Sequence, residues 1–382
     1  MSGIDYDLLK RFRREIHAFP EISGGEKETA RKVLGFLKNC SPDEIITDIG
    51  GYGIVATWDS GVEGPEIIFR AELDALPIEE INTFDYKSAI NGVSHKCGHD
   101  GHSTILCGLA KYLSVNKNSK GKVRLIFQPA EENGEGAKAM LEDEKFKGVE
   151  PDFIFALHNL PGYPMSKVVV KDNTFTAAVN SIIIHLTGKT SHAAEPEHGL
   201  NPALAVAEII QGSMALANNY PDKEDMRVIT PVYMDLGTKD YGISAGVATV
   251  HLTIRCWNDE YLRKLEEDII KLSEQISKKH KLSVKFDFTQ TFHANINNSL
   301  AAEKVRKAAK KLDLSLDERQ FPFKWGEDFG LFTSRFKGCM FGLGAGENMP
   351  ALHNPDYDFP DELIETGVKI FIGIMHEVLL NN

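Results

Sequence analysis

A chain of 382 residues exceeds what one ordinary hydrophobic core accommodates, so two domains are expected, one of them interrupted by the other. Its 42% hydrophobic and 26% charged residues fit a soluble globular protein, and a formal net charge of -12 argues against a nucleic-acid partner, which would need a basic surface. No apolar stretch approaches the ~20 residues of a membrane span, the charged segment 1–14 lacks a signal-peptide core, and five scattered cysteines (Cys40, Cys97, Cys107, Cys256, Cys339) fit reduced thiols in the cytoplasm.

Helical spacing opens the chain, with Leu8, Leu9, Phe12 and Ile16 before Pro20, then Ala30, Val33, Leu34 and Leu37. Short apolar runs follow at 53–58, 66–69, 123–127 and 153–157, separated in part by helical patterns at 104–113 and 136–141. Apolar strands alternating with helices predict an α/β fold whose largely parallel sheet is flanked by helices. A second rhythm begins near Ser181. Strands at 181–186, 227–236, 248–257 and 282–288, with helices at 201–217 and 261–279, give the order β-α-β-β-α-β of a ferredoxin-like α+β sandwich. A helix at 300–311, a strand at 339–343 and a helix at 362–380 read as the return of the first sheet. The expected division is a larger domain of residues 1–179 and 293–382, with residues 180–292 inserted into it.

The densest chemistry lies in Ser94-His95-Lys96-Cys97-Gly98-His99-Asp100-Gly101-His102. A thiolate and an imidazole two positions apart can both reach one metal, and a nearby acid can orient the ring. A loop with fortuitous histidines and a Cys97 nucleophile with a histidine base are the competing readings. The nucleophile leaves the next acids unexplained. Gln128-Pro129-Ala130-Glu131-Glu132 directly follows the run 123–127, and open α/β sheets place their sites beyond the carboxyl ends of strands. One glutamate there can bind metal while its neighbour, pointing elsewhere, takes a proton from water. Taken alone, the pair reads more readily as an exposed acidic turn. His158-Asn159 follows the run 153–157, His353-Asn354 lies beyond 339–343, and Arg70-Ala71-Glu72-Leu73-Asp74 follows 67–69. Several strand ends delivering histidines and acids to one rim is hard to produce by accident.

The segments RAELDALP, HKCGHDGH, FQPAEENGEGA, LHN, SHAAEP, WGEDFG and ALHN occur here in the order seen in one branch of the metal-dependent amidohydrolases, and the chain resembles that branch over nearly its whole length. The branch holds hippurate hydrolases, N-acyl amino acid deacylases and auxin-conjugate hydrolases; the wider family holds aminoacylase and carboxypeptidase G. The resemblance implies a catalytic domain carrying two divalent ions, zinc or manganese with cobalt or nickel as alternatives, and an inserted lid that often makes a homodimer. It implies Cys97, His99, Glu132, His158 and His353 as metal ligands, with Cys97 standing where the wider family has a bridging aspartate. Glu131 corresponds to the general base, Asp74 to the acid that orients the site, and His192 to a group stabilising the oxyanion, in cis or from a partner subunit. Glu72 replaces a ligand histidine of the wider family. Asn201-Pro202 stands where the family usually has Asp-Pro, and Tyr241-Gly242-Ile243-Ser244 departs from its Asn-x-Ile-Pro pattern. This leaves carboxylate recognition by Arg255 open, with solvent exposure on an alternating strand as the other reading. Glu327 and Asp328 either line the site or cap a turn. The expected substrate is a small N-acyl amino acid whose amide bond is hydrolysed. A dipeptidase, a dedicated N-acetyl amino acid deacetylase and an inactive metal-containing binding protein are the alternatives.

Overall fold

In the computed structural model, which describes residues 3–380, the long apolar runs become the centre of an eight-stranded sheet. Lys122–Gln128, Glu66–Glu72, Phe153–Pro161 and Gly338–Gly346 lie side by side in that order and run parallel. They carry buried residues on both faces, which is why they read as continuous apolar runs rather than as an alternation. Helices His99–Val115, Ser299–Lys311 and Glu362–Leu379 pack against this centre. Phe69 shows the packing: its ring centroid lies 5.9 Å from that of Phe155 and 4.8 Å from that of Phe371. A fully buried phenylalanine of this kind contributes about 3–5 kcal/mol, counting the cavity its loss would leave.

The rims of the sheet are not parallel. Glu44–Ile49 pairs antiparallel with Gly53–Asp59, which pairs antiparallel with Lys122–Gln128. At the far side Val168–Val170 runs antiparallel to Gly338–Gly346, and Leu316–Glu318 closes that edge in parallel. The parallel centre matters for function, because it turns four carboxyl ends toward the same rim.

The chain divides into two compact units, the first made of the chain through Phe175, 295–320 and 327 onward, the second of residues 176–294 with 321–326. In the second unit, strands Ala178–Thr187, Arg227–Leu236, Val247–Cys256 and Ser283–Phe292 form one antiparallel sheet. Their spatial order is second, third, first, fourth, and helices Ala203–Ala215 and Asp259–Lys279 complete a β-α-β-β-α-β succession. Along Val247–Cys256, Ala248, Val250, Leu252, Ile254 and Cys256 face the core, the two-residue period of a sheet covered on one side. The first helix starts at Ala203 rather than at Asn201, because Pro202 sits at its cap and the Asn201 side chain accepts the Ala203 N–H at 2.9 Å. No described helix is long and apolar enough to cross a membrane. The five cysteines are buried, with no disulfide among the described residues.

Candidate metal centre

The expected site residues of the first unit stand at or beyond strand ends, except Cys97 and His99, which stand at a helix start. Asp74 lies two residues past Glu66–Glu72, Glu131 and Glu132 lie past Lys122–Gln128, and His158 stands within the last half of Phe153–Pro161. His353 belongs to the loop after Gly338–Gly346, with a left-handed backbone (φ +65°) held by its N–H donating to the Lys96 carbonyl at 2.9 Å. Cys97 and His99 flank Gly98, whose φ of +94° turns the chain into helix His99–Val115. A Cβ at Gly98 would come within 2.7 Å of Asn159 Oδ1, so both backbone angle and space require glycine.

The donor atoms converge. Ligand atoms of Cys97, His99 and His158 lie within 4.8 Å of one another, and so do those of Cys97, Glu132 and His353. Cys97 belongs to both triads, so its sulfur is common to the two donor groups. Cys97 Sγ is 3.5 Å from His158 Nε2, His353 Nε2 is 3.7 Å from Glu132 Oε2, and His99 Nε2 is 3.8 Å from Glu132 Oε1. Tautomers agree with this. His99 Nδ1 faces the Asp74 carbonyl at 3.0 Å and its carboxylate at 3.1 Å; both only accept, so Nδ1 carries a proton and Nε2 is the nitrogen turned toward the other donors. His158 Nδ1 likewise donates to the Asn159 carbonyl at 2.9 Å. His99 Nε2 and Glu132 Oε1 are buried without a hydrogen-bond partner, a costly arrangement that a cation between them would resolve. The donor set therefore fits divalent ions that accept sulfur, nitrogen and oxygen.

Electrostatics point the same way. Burial, with Glu132 and Glu131 close by, pushes the Cys97 thiol well above its usual pKa. Burial also raises Glu132 to about 7, and it raises Glu131 well above the carboxylate range, reinforced by Glu327, Glu132 and Asp328. For His99 burial opposes the charge, but the Asp74 hydrogen bond and the charges of Glu72, Asp74 and Glu132 prevail and push it up to about 10. Such a concentration of buried acids holds protons unless cations replace them.

Two buried networks hold the frame. Arg70 is fully buried and donates through Nε to Gln128 Oε1 at 2.8 Å, and through Nη2 to Glu327 Oε1 at 2.9 Å and Asp328 Oδ1 at 2.7 Å. Its Nη1 pairs with Glu72, which also accepts from His102 Nδ1 at 2.7 Å. Glu72 thus faces an arginine and an imidazole. Glu327 and Asp328 are buried in the same network, and the Asp328 N–H faces Glu131 Oε1 at 3.4 Å. Arg70→Met strands several carboxylates without their counter-charge, so it is expected to lower stability by about 3–5 kcal/mol. An unchanged denaturation midpoint would show that the acids do not depend on it. Behind the Cys97 loop, His17 places Nδ1 2.8 Å from Asp100 and Nε2 3.1 Å from Glu80, while Lys96 donates to Glu80 and to the Tyr357 carbonyl. Burial works against the His17 charge, yet the two acids hold its pKa up to about 9. Arg70 and Glu72 stand two residues apart on one strand, the i, i+2 spacing that puts both on one face and is the sequence signal for their shared role.

In the second unit, His192 pairs in a short two-stranded ribbon opposite Ile243, and its Nδ1 accepts the Ala194 N–H at 3.0 Å. The proton is therefore on Nε2, which can donate. Arg255 does not simply face solvent, since its Nη1 donates to the Lys324 carbonyl at 3.0 Å. Tyr241 is 98% exposed.

Residues 68–377 match the model of peptidase family M20/M25/M40. The hippurate hydrolase of Campylobacter jejuni is 32% identical, the alignment covering 95% of this chain and 94% of that protein. The N-acetyl-L-cysteine deacetylase of Bacillus subtilis is 30% identical over 95% of this chain and 86% of its own. Among solved structures, a dinuclear metal-binding peptidase of family M20 from Bacillus subtilis superposes with a TM-score of 0.82 at 27% identity, covering 98% of both chains. With a match across most of its length and a buried cluster of thiol, imidazole and carboxylate donors, the chain belongs to peptidase family M20/M25/M40 and is a metal-dependent amidohydrolase.

Proposed function

We propose that the chain hydrolyses the amide bond of small N-acyl amino acids, holding two divalent cations through Cys97, His99, Glu132, His158 and His353, with Cys97 shared between them. The observation that carries this reading is the pair of three-donor groups joined at Cys97, beside a second glutamate, Glu131, that lies outside both although it also comes within reach of His99 and Glu132. A binding protein with a structural metal has no need of that spare carboxylate. When bound, the cations supply Lewis acidity that lowers the pKa of water and polarises the amide carbonyl. Glu131 accepts the proton of the attacking water and returns it to the departing nitrogen; the C–N bond breaks, and a carboxylic acid and an amino acid leave. Burial, with Glu327, Glu132 and Asp328 close by, raises its proton affinity well above that of an ordinary carboxylate. Asp74 fixes the tautomer of His99, and also accepts the Glu132 N–H at 2.9 Å, so it orients both. His192, with its proton on Nε2, is suited to donate to the oxyanion, in cis or from a partner subunit.

Zinc and manganese suit the mixed donor set, and cobalt or nickel could also be held. The second unit serves as the lid, and its edge strand Arg227–Leu236, with Val232, Tyr233, Met234 and Leu236 exposed, is the surface through which two copies associate in the cytoplasm. The deciding experiment strips the protein with a chelator, restores single metals, and assays hippurate, N-acetyl amino acids and dipeptides, with sedimentation measured on the same samples. Metal-restored release of amino acid from hippurate or an N-acetyl amino acid is expected. A fully metallated preparation that cleaves none of these amides would sink the reading, while preference for dipeptides would move it to a dipeptidase.

A further inference from the structure

The turn that carries Glu131 and Glu132 has an unusual backbone. Ala130 sits at φ +52°, in the left-handed region that a residue with a Cβ avoids. Pro129 has no N–H, so the Ala130 N–H is the first donor after the strand ends at Gln128. That N–H donates at 2.8 Å to Oε1 of Glu26, a residue 104 positions away and fully buried. Glu26 directly precedes helix Lys27–Lys38, yet its carboxylate makes no cap hydrogen bond to that helix. Oε1 accepts instead from Gly24 N–H and Ala130 N–H, both at 2.8 Å, and Oε2 is buried without a hydrogen-bond partner. The rest of the segment is tied to the same place: the Ala75 N–H donates to the Glu21 carbonyl at 2.8 Å, and Ser23 Oγ donates at 2.8 Å to Asp74 Oδ2, the oxygen that also takes the Glu132 N–H. Two acids, Glu26 and Asp74, thus hold the main-chain amides on either side of Glu131.

We propose that Glu26 is a positioning residue: by holding the Ala130 amide it keeps Ala130 in its left-handed conformation, so that Glu131 and Glu132 diverge into their separate places. This rests on the reading of Glu131 as base and Glu132 as ligand. A residue that only filled space or capped a helix would not aim its carboxylate at a strained amide beyond its own helix. The Ala130 Cβ provides the means of testing the link, because glycine adopts a positive φ at no steric cost.

The experiment compares Glu26→Ala, Glu26→Asp and Glu26→Gln, the first two also combined with Ala130→Gly, reading kcat, KM and the rate at which a chelator removes metal. Glu26→Ala is expected to lower kcat about 10- to 100-fold with little change in KM, and to speed metal loss about tenfold or more. Glu26→Asp keeps the charge but withdraws the oxygen, and should follow in the same direction if the alanine variant does not fold. Glu26→Gln keeps an acceptor oxygen and should lose less than either. Adding Ala130→Gly should recover both kcat and metal retention by roughly tenfold, which restoring general stability would not do. Wild-type turnover and metal retention in Glu26→Asp, or no recovery on adding Ala130→Gly, would overturn the inference. Glu131→Gln serves as control: if that variant keeps turning over, the assignment of the base has failed; if it is dead while Glu26→Asp behaves as wild type, only the role of Glu26 has.

Discussion

Glu131→Gln is expected to keep its metal and lose turnover, with kcat falling about 100- to 10,000-fold, the range that a positioned general base contributes. Glutamine preserves the size of the side chain and one acceptor oxygen, so the Asp328 N–H facing Oε1 at 3.4 Å need not move. What it removes is the ability to take a proton from water and deliver it to the leaving nitrogen. Glu132, grouped with Cys97 and His353, is untouched, so metal content by elemental analysis should equal that of the unaltered protein. KM should change little, since the lost interaction belongs to the transition state. Other roles leave other signatures. A Glu131 that ligated metal would take metal with it when replaced, and a solvated acidic turn would leave kcat where it was. Near-normal kcat in this variant would remove the base from the mechanism.

The long, strongly patterned elements are legible in the sequence. The runs at 123–127 and 153–157 stand out as unbroken apolar stretches, and the helix expected at 261–279, which spans Asp259–Lys279, carries its period over enough residues to be read. The three-residue strands Val168–Val170 and Leu316–Glu318 were not, because so short a segment has no period, and its pairing depends on neighbours far away in sequence. The antiparallel rim escaped for a related reason: which edge a strand joins, and in which direction, is decided by connections that periodicity does not encode. At the site, His158, His353 and the paired glutamates were legible as residue types at or beyond strand ends, and Cys97 and His99 as part of the dense segment 94–102. The structure brings Cys97, His99, Glu132, His158 and His353 together. The supports were not legible. Arg70 meets Glu327 across 257 residues and Glu26 meets an Ala130 amide across 104, and a side chain that bonds a distant main-chain group leaves no motif.

Cys97→Ala is expected to weaken metal binding by well over 100-fold, since substitutions outside the coordination shell already cost 10–100-fold. The sulfur belongs to both donor triads, so its loss should depress occupancy at both positions rather than at one, and activity should fall with occupancy. The thiol also predicts how binding responds to pH. Burial and the adjacent Glu132 and Glu131 keep Cys97 protonated in the metal-free protein; burial lifts Glu132 to about 7, and the Asp74 bond and nearby acids, outweighing burial, hold His99 at about 10. Each must give up its proton to bind, so affinity should rise with pH through neutrality and on toward 10, and fall as pH drops. Calorimetry in two buffers of different ionisation enthalpy counts the protons released. Cys97→Asp, which supplies a carboxylate able to bridge, should recover part of the affinity lost in Cys97→Ala while releasing fewer protons than the thiol does at neutral pH. The same variants separate a ligand from a nucleophile. If Cys97 attacked the amide itself, Cys97→Ala would be inactive yet fully metallated, and Cys97→Asp would gain nothing. Full metal content in Cys97→Ala would therefore remove the shared sulfur from the centre, and with it the reason for two cations to sit side by side.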